Sequence, residues 1–330
     1  MTGQNCCFDA SCGDRKQAFS VGFSRRIWGN VSDLWIADAN RVSFRAMTIQ
    51  TIQVSGVPEH FNLPWRLLEA TPFADTLGYR VNWRDVREGT GEMIAQLRSG
   101  QCDMALLLTE GAVAGIGNGG GYRIVGEYIA SPLRWGIHAA ADSDLQDDTN
   151  LDGRSFAISR FGSGSHLMAA LYARQQGWRT KPEYVVVDHL TGAQTALQAG
   201  NAELFLWEQF TTQPLVDEGV FRRVGVVPTP WPCFVACLSD KSEIPPQAAL
   251  ALLKLALATA NLLVVRPDIA DVFADRYRLR RSQVTEWLAL TRWSDSGVLA
   301  PKWIVEASDA LLQVGLIDAP VEPTAAMVAS

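Results

Sequence analysis

Ser155-Phe156-Ala157-Ile158-Ser159-Arg160-Phe161-Gly162-Ser163-Gly164-Ser165-His166 is the stretch on which the reading of this chain turns. It opens on an apolar run of strand length, Ser155 to Ser159, and passes through a glycine-serine turn. It then enters a helix-forming segment, Ser165 to Gln176, that stops at Gly177. A strand, a tight turn and a helix in that order are the repeating unit of α/β proteins. The glycines let the main chain bend and come close to a bound group. The first helical turn offers unpaired N–H groups and a partial positive charge, which suit an anion. Ser163 and Ser165 add hydroxyls, although either serine can equally serve as a helix cap. No Lys-Ser or Lys-Thr follows the glycines, so the turn is not a P-loop.

The same unit recurs on both sides. Upstream, Ile52 to Val57, Tyr79 to Val86 and Asp103 to Leu108 read as strands, with helices at Trp65 to Ala70 and Gly91 to Arg98 between them; Tyr122 to Ile129 and Leu133 to Ala140 read as two further strands. An Asp-rich break covers Asp142 to Asn150, after which the pattern restarts. Downstream, Tyr184 to Val187, Leu204 to Trp207 and Phe221 to Val226 read as strands around a helix at Ala193 to Ala199. Cys233 to Leu238 is one more strand. Helices then follow at Ala248 to Val265, Pro267 to Tyr277, Arg281 to Leu290 and Pro301 to Val314. Two α/β units in series with a helical tail imply an α/β fold of two lobes. Residues 47–141 plus 232–330 would form the first lobe and 142–231 the second. Chain crossings near 139–142 and 232–236 would make a hinge around a ligand cleft.

Composition narrows the function classes. The 330 residues carry a net charge of −6 with no basic run, which argues against nucleic acid as a partner. Ala248 to Val265 approaches the length of a membrane span, but Lys254 and Asn261 interrupt it and Pro245-Pro246 opens it as a helix start, so a buried helix and no membrane span are expected. Cys6, Cys7, Cys12, Cys102, Cys233 and Cys237 form no CxxC pair and read as free thiols. Residues 1–46 lack periodicity and the apolar core of a secretory signal, and read as a disordered extension or a misassigned start, with Met47 opening the first strand. A cytoplasmic protein is the expectation, and a periplasmic one the alternative if the N-terminus is misassigned.

Candidate binding residues sit where strands end, since ligands of open α/β sheets bind beyond the carboxyl ends of strands. They are Glu59 and His60 after the first strand, Gly89 and Thr90, Thr109 and Glu110, Ser163, Gly164, Ser165 and His166 in the glycine turn, and Trp207 and Glu208. Thr229-Pro230-Trp231-Pro232 adds a stiff aromatic turn, and Trp207 or Trp231 would supply an aromatic wall. No GxSxG elbow and no HExxH motif occurs, so no catalytic residue, metal or cofactor is assigned.

The series Glu59-His60-Phe61, Glu88-Gly89-Thr90-Gly91, Leu108-Thr109-Glu110-Gly111, Ser131-Pro132-Leu133-Arg134-Trp135, the Ser159–His166 turn, Gln175-Gln176-Gly177-Trp178, Leu206 to Thr212 and Thr229 to Pro232 resembles the Ca3427-like proteins. That group belongs to a wider set with thiamine-precursor synthases and with sulfonate-binding and pyrimidine-precursor-binding proteins of ABC importers. The resemblance runs from about Ile52 to Leu238. It implies a type II periplasmic-binding-protein fold whose cleft holds the candidate residues named above. The implied function is binding of a polar or anionic small molecule, sulfonate-like or pyrimidine-precursor-like, with an ABC permease as partner if the chain is exported. An enzyme of the thiamine-precursor-synthase kind is the alternative. The cysteine cluster that marks those synthases is missing from the matched region, so an enzyme is the lesser expectation.

Overall fold

The computed structural model describes residues 49–328. Residues 1–46 and Met47, and with them Cys6, Cys7 and Cys12, lie outside the described residues. The first half of the chain gives β1 (Gln50–Gly56), α1 (Leu63–Ala70), β2 (Tyr79–Asp85), α2 (Thr90–Ser99), β3 (Met104–Leu108), α3 (Thr109–Gly117) and β4 (Tyr122–Ala140). It continues with β5 (Phe156–Ile158), α4 (Gly164–Gln175), β6 (Tyr184–Val186), α5 (Leu190–Gln198), β7 (Leu204–Glu208), α6 (Gln213–Asp217) and β8 (Phe221–Ser239). The tail is helical: α7 (Pro246–Val264), α8 (Ile269–Tyr277), α9 (Arg281–Leu290), α10 (Pro301–Gln313) and α11 (Pro323–Ala326).

The eight strands form one sheet in the order β2-β1-β3-β8-β4-β7-β5-β6. β1 is parallel to β2 and β3, and β5 is parallel to β6 and β7. β3 meets β8 antiparallel, and β7 meets β4 antiparallel. Read from either edge, the order is second, first and third strand of an α/β unit, then the two long strands. The molecule is thus two α/β lobes built on one plan and sharing β4 and β8.

The sequence divides each long strand in two, because Pro132 falls inside one and Pro228, Pro230 and Pro232 inside the other. In the structure β4 and β8 are each continuous for 19 residues. Proline cannot donate to a ladder, so the pairing yields without ending. Tyr122–Ile129 pairs with Ser239–Phe234, and Arg134–Ala140 with Pro228–Phe221. Register shifts flank the single Pro132–Pro232 pair between them.

Local rules account for most elements. The Met104–Leu108 run is apolar on both faces because β3 is central in its lobe. α7 starts with a proline at its first turn and buries Ala249, Leu252, Leu253, Ala256, Leu257, Ala260 and Leu263, a spacing of three and four residues. Its other face, with Leu262 and Val264, is exposed. By length and composition α7 could cross a membrane, and here 44% of its apolar window is buried inside the fold. One core holds most of the buried side chains. A second, smaller one, with Ala157, Ala193, Leu197, Phe205 and Phe221, fills the far side of the second lobe.

The tail is bolted to the first half of β4. Glu127 N donates to Gly297 O at 3.1 Å, Ser294 N to Tyr128 O at 2.9 Å and Ala130 N to Arg292 O at 2.8 Å. Gly126 lies under this seam, where an added methyl would overlap the Gly297 carbonyl. Gly126→Ala should therefore cost about 1–3 kcal/mol of stability through overpacking. Urea denaturation checks this, and an unchanged midpoint would mean that the tail can shift freely on the strand.

Candidate functional site

Three helices begin at one cleft. α2 starts after Gly89, whose φ of +79° is a conformation that favours glycine. α3 starts directly at the end of β3, with Leu108 as its N-cap and no loop between. α4 starts at Gly164, capped by Ser163. Their first turns, with the tail behind them, enclose about 370 Å³. The first lobe contributes Thr90, Gly91, Ile94 and Arg98 from α2, then Leu108, Glu110 and Gly111 at the start of α3. The second lobe contributes Arg160 to Gly164 and Leu167. Leu311 and Leu316 of the tail complete the wall.

The lobes touch across this cleft. A Cβ on Gly164 would sit 2.8 Å from the Trp135 ring and 3.4 Å from Leu108 Cδ1, so α4 approaches the central strands only because that residue is glycine. The Arg160 guanidinium lies against Gly91 at the start of α2, where a methyl would overlap it. Arg98 lines the same space but is engaged: it donates to the carbonyls of Gly115 at 2.8 Å, Asn118 at 3.0 Å and Gly120 at 2.9 Å, at the negative end of α3.

The glycine turn is held by its own polar groups. Ser163 Oγ accepts from His166 N at 3.3 Å and meets Ser165 Oγ at 2.9 Å. Ser165 Oγ accepts from Ser159 N at 3.0 Å, and His166 Nδ1 from Gly162 N at 3.2 Å. The His166 ring packs edge-on against Phe161 and Tyr184.

Glu110 is a buried carboxyl group of the cleft that is only half bonded. It is 2% exposed; its Oε2 accepts from Trp231 Nε1 at 2.8 Å, while the buried Oε1 has no partner among the described residues. Burial raises its pKa to about 7, against the Trp231 hydrogen bond and a backbone bond that lower it. Thr109, beside it, donates to Pro232 O at 2.5 Å, so β3 and α3 are tied to the proline-rich middle of β8. Three carboxyl groups, those of Glu110, Glu59 and Glu208, lie near the buried Cys233 thiol and add to burial in raising it. Glu59 keeps part of its surface, yet desolvation first and the charge of Glu208 second raise its carboxyl to about 8. Burial raises the Glu208 carboxyl too, although Phe210 N at 3.1 Å, Thr211 N at 2.6 Å and Thr211 Oγ1 at 2.8 Å donate to it.

Of the residues singled out from sequence, Thr90, Glu110, Ser163 and Gly164 line the cleft, with Gly89 immediately before it. Thr109, Ser165 and His166 hold its frame. Glu59 and Glu208 do not line it: both lie near Cys233, and Glu208 lines a separate small pocket with Phe61, Pro132, Arg134 and Trp287. His60 does not reach it: the ring is buried among Phe61, Trp287 and Tyr277, and burial lowers its pKa to about 3. Trp207 stacks on Phe205 against the second core, and Trp231 is buried behind Glu110, so neither tryptophan forms an aromatic wall. Sequence reasoning passed over Arg160, although it stands in the quoted turn. It also passed over α3 and the tail residues.

An order of strands shared between two lobes with a cleft between them defines the periplasmic-binding-protein class. Residues 135–227 match the family model of Ca3427-like PBP, that is, periplasmic binding proteins. The CA3427 gene product of Candida albicans, described as defining a family with the generic periplasmic binding protein fold, superposes with a TM-score of 0.77 at 21% identity. The match covers 85% of this chain and 96% of that one. The alkanesulfonate-binding protein SsuA from Xanthomonas axonopodis pv. citri, bound to MOPS, superposes at 0.68 with 14% identity over 86% and 100% of the two chains. The aliphatic sulphonate binding protein SsuA from Escherichia coli superposes at 0.64 with 15% identity over 84% and 97%. No curated protein matches the chain. The chain therefore has the type II periplasmic-binding-protein fold and resembles the Ca3427-like proteins.

The raised Glu59 carboxyl carries a pH signature. Its folded pKa lies above the ordinary value, so the folded state holds more protons than the unfolded one between those two values, and stability falls as pH rises from about 5 to 8. Glu59→Gln should flatten that decline and melt above the wild type at pH about 8. Parallel melting curves across this range check it; equal slopes in the two proteins would place the Glu59 carboxyl in ordinary solvent.

Proposed function

We propose that the protein binds a small organic anion in the cleft between its lobes, as the substrate-binding component of an ABC-type importer. The observation that carries this reading is the placement of Arg160. Its guanidinium rests against the positive end of α2, beside the starts of α3 and α4, and no carboxylate pairs with it among the described residues. A cation and three helix N-termini facing one space repel one another and together attract an anion. Leu108, Ile94, Leu167 and Leu316 would take the apolar part of the ligand. The sulfonate-binding neighbours support this ligand class, and the periplasmic setting of the Escherichia coli one favours action outside the cytoplasm with a permease partner, against the cytoplasmic expectation.

In this reading the lobes meet where the ribbon of β4 and β8 loosens, at Ile129–Arg134 and Pro228–Pro232. The first crossing then falls some residues before the 139–142 expected from sequence. The proline pair would serve as the hinge about which the cleft opens.

Titration calorimetry with a panel of alkanesulfonates and carboxylates tests the function. Arg160→Ala should weaken the tightest anion by about 1.5–3 kcal/mol, the range of a hydrogen bond to a charged group, without lowering the melting temperature, because Arg160 is exposed. Ser163→Ala should lose about 1 kcal/mol of binding or of stability. A loss of stability alone would make it only a helix cap. Undiminished anion binding by Arg160→Ala would overturn the reading.

A further inference from the structure

The cleft holds a guanidinium and a carboxyl group that do not meet. Arg160 and Glu110 both line it, one from each lobe, and no ion pair joins them. Trp231 Nε1 holds Glu110 Oε2 at 2.8 Å and thereby fixes the carboxyl plane. The other oxygen is buried, lacks a donor among the described residues, and belongs to a residue that lines the cleft. The surroundings sharpen the contrast. Glu59 and Glu208 gather with Glu110 around the Cys233 thiol, whereas Arg160 stands by the helix N-termini. Apolar side chains, Leu108 and Ile94 among them, complete the wall.

We infer that the ligand is a small zwitterion, with its acidic group on Arg160 and the helix starts, and a protonated amine donating to Glu110 Oε1. The inference rests on the anion-binding reading and adds a second point of recognition to it. Burial raises the Glu110 carboxyl to about 7, and an approaching ammonium favours its ionised form, which only accepts hydrogen bonds, so an ammonium or other N–H group is its complement. A charged N–H donor to a carboxylate is among the stronger hydrogen bonds, and it would discriminate against an otherwise identical ligand without the amine. The indole bond makes Glu110 ready for this role, since the carboxyl is oriented before the ligand arrives.

Two probe pairs that differ only by the amine test this on the full chain by calorimetry: propanesulfonate against homotaurine, and butyrate against γ-aminobutyrate. The wild type should bind the amino member of at least one pair about tenfold more tightly than its partner. Glu110→Gln, which still accepts from Trp231, should abolish that preference. The effect is read within each pair: the two members should bind within about threefold of one another in the variant, and its melting temperature should not fall. Equal binding within each pair, preference for the unaminated member, or a preference that survives in Glu110→Gln overturns the zwitterion inference. In those cases the anion reading stands if Arg160→Ala still weakens both members. Failure of all four probes to bind overturns both.

Discussion

Pro132 faces Pro232 in the middle of the ribbon formed by β4 and β8, and every other part of the molecule is arranged around that pairing. Neither residue has an N–H to offer, so the ladder on which both lobes are built is weakest at this point. On one side the ribbon continues into β3, β1 and β2; on the other it continues into β7, β5 and β6. Short polar ties secure the junction. Thr229 Oγ1 accepts from Leu133 N at 3.0 Å and donates to Trp231 O at 2.8 Å, and Thr109 donates to Pro232 O. The backbone that prolines leave unpaired is satisfied by threonine hydroxyls, and the same turn presents the Trp231 indole to Glu110.

The cleft gains its character from how abruptly the strands hand over to helices. β3 passes into α3 without an intervening residue, so Thr109 and Glu110 are at once the end of a buried strand and the first turn of a helix. One of them bonds the ribbon and the other turns to the cleft. Gly164 and Gly91 act in the same sense. Each lets a helix start come close enough to a neighbouring element for a side chain, Trp135 of β4 in one case and Arg160 of the opposite lobe in the other, to lie directly on backbone. The result is a site of main-chain ends set among apolar side chains, with Arg160 from one lobe and Glu110 from the other.

Much of this was legible in the sequence because strands and helices of the chain are punctuated. The strand, glycine turn and helix around Ser159–His166 fell within a residue or two of the observed β5 and α4, and the lobes and their order followed from repetition of that unit. The continuity of the long strands was not legible, since prolines inside an apolar run read as boundaries. α3 was missed because Thr109–Gly117 carries three glycines and weak helix formers, and its helix depends on packing between α2, β8 and α10. Trp207 and Glu208 were read together as cleft residues, but neighbours on a strand face opposite ways, so only Glu208 turns toward the centre. Arg160 carried no sequence signal of its own. A lone arginine in a loop is ordinary until its surroundings show that nothing neutralises it.

The sharing of β4 and β8 also has a consequence for how the chain reaches its fold. β3 has β8 as its neighbour on one side, and the whole second lobe is synthesised between them. Until β8 emerges, β3 stands as an apolar strand with an open edge, Met104 to Leu108, beside a half-built lobe. The tail that seals the first half of β4 arrives later still. Such long-range closure slows folding and exposes sticky edges during synthesis. The second lobe, whose smaller core is closed mainly by its own residues, can settle first and carry β8 to its place. The lobe that begins the chain is then the last to be finished.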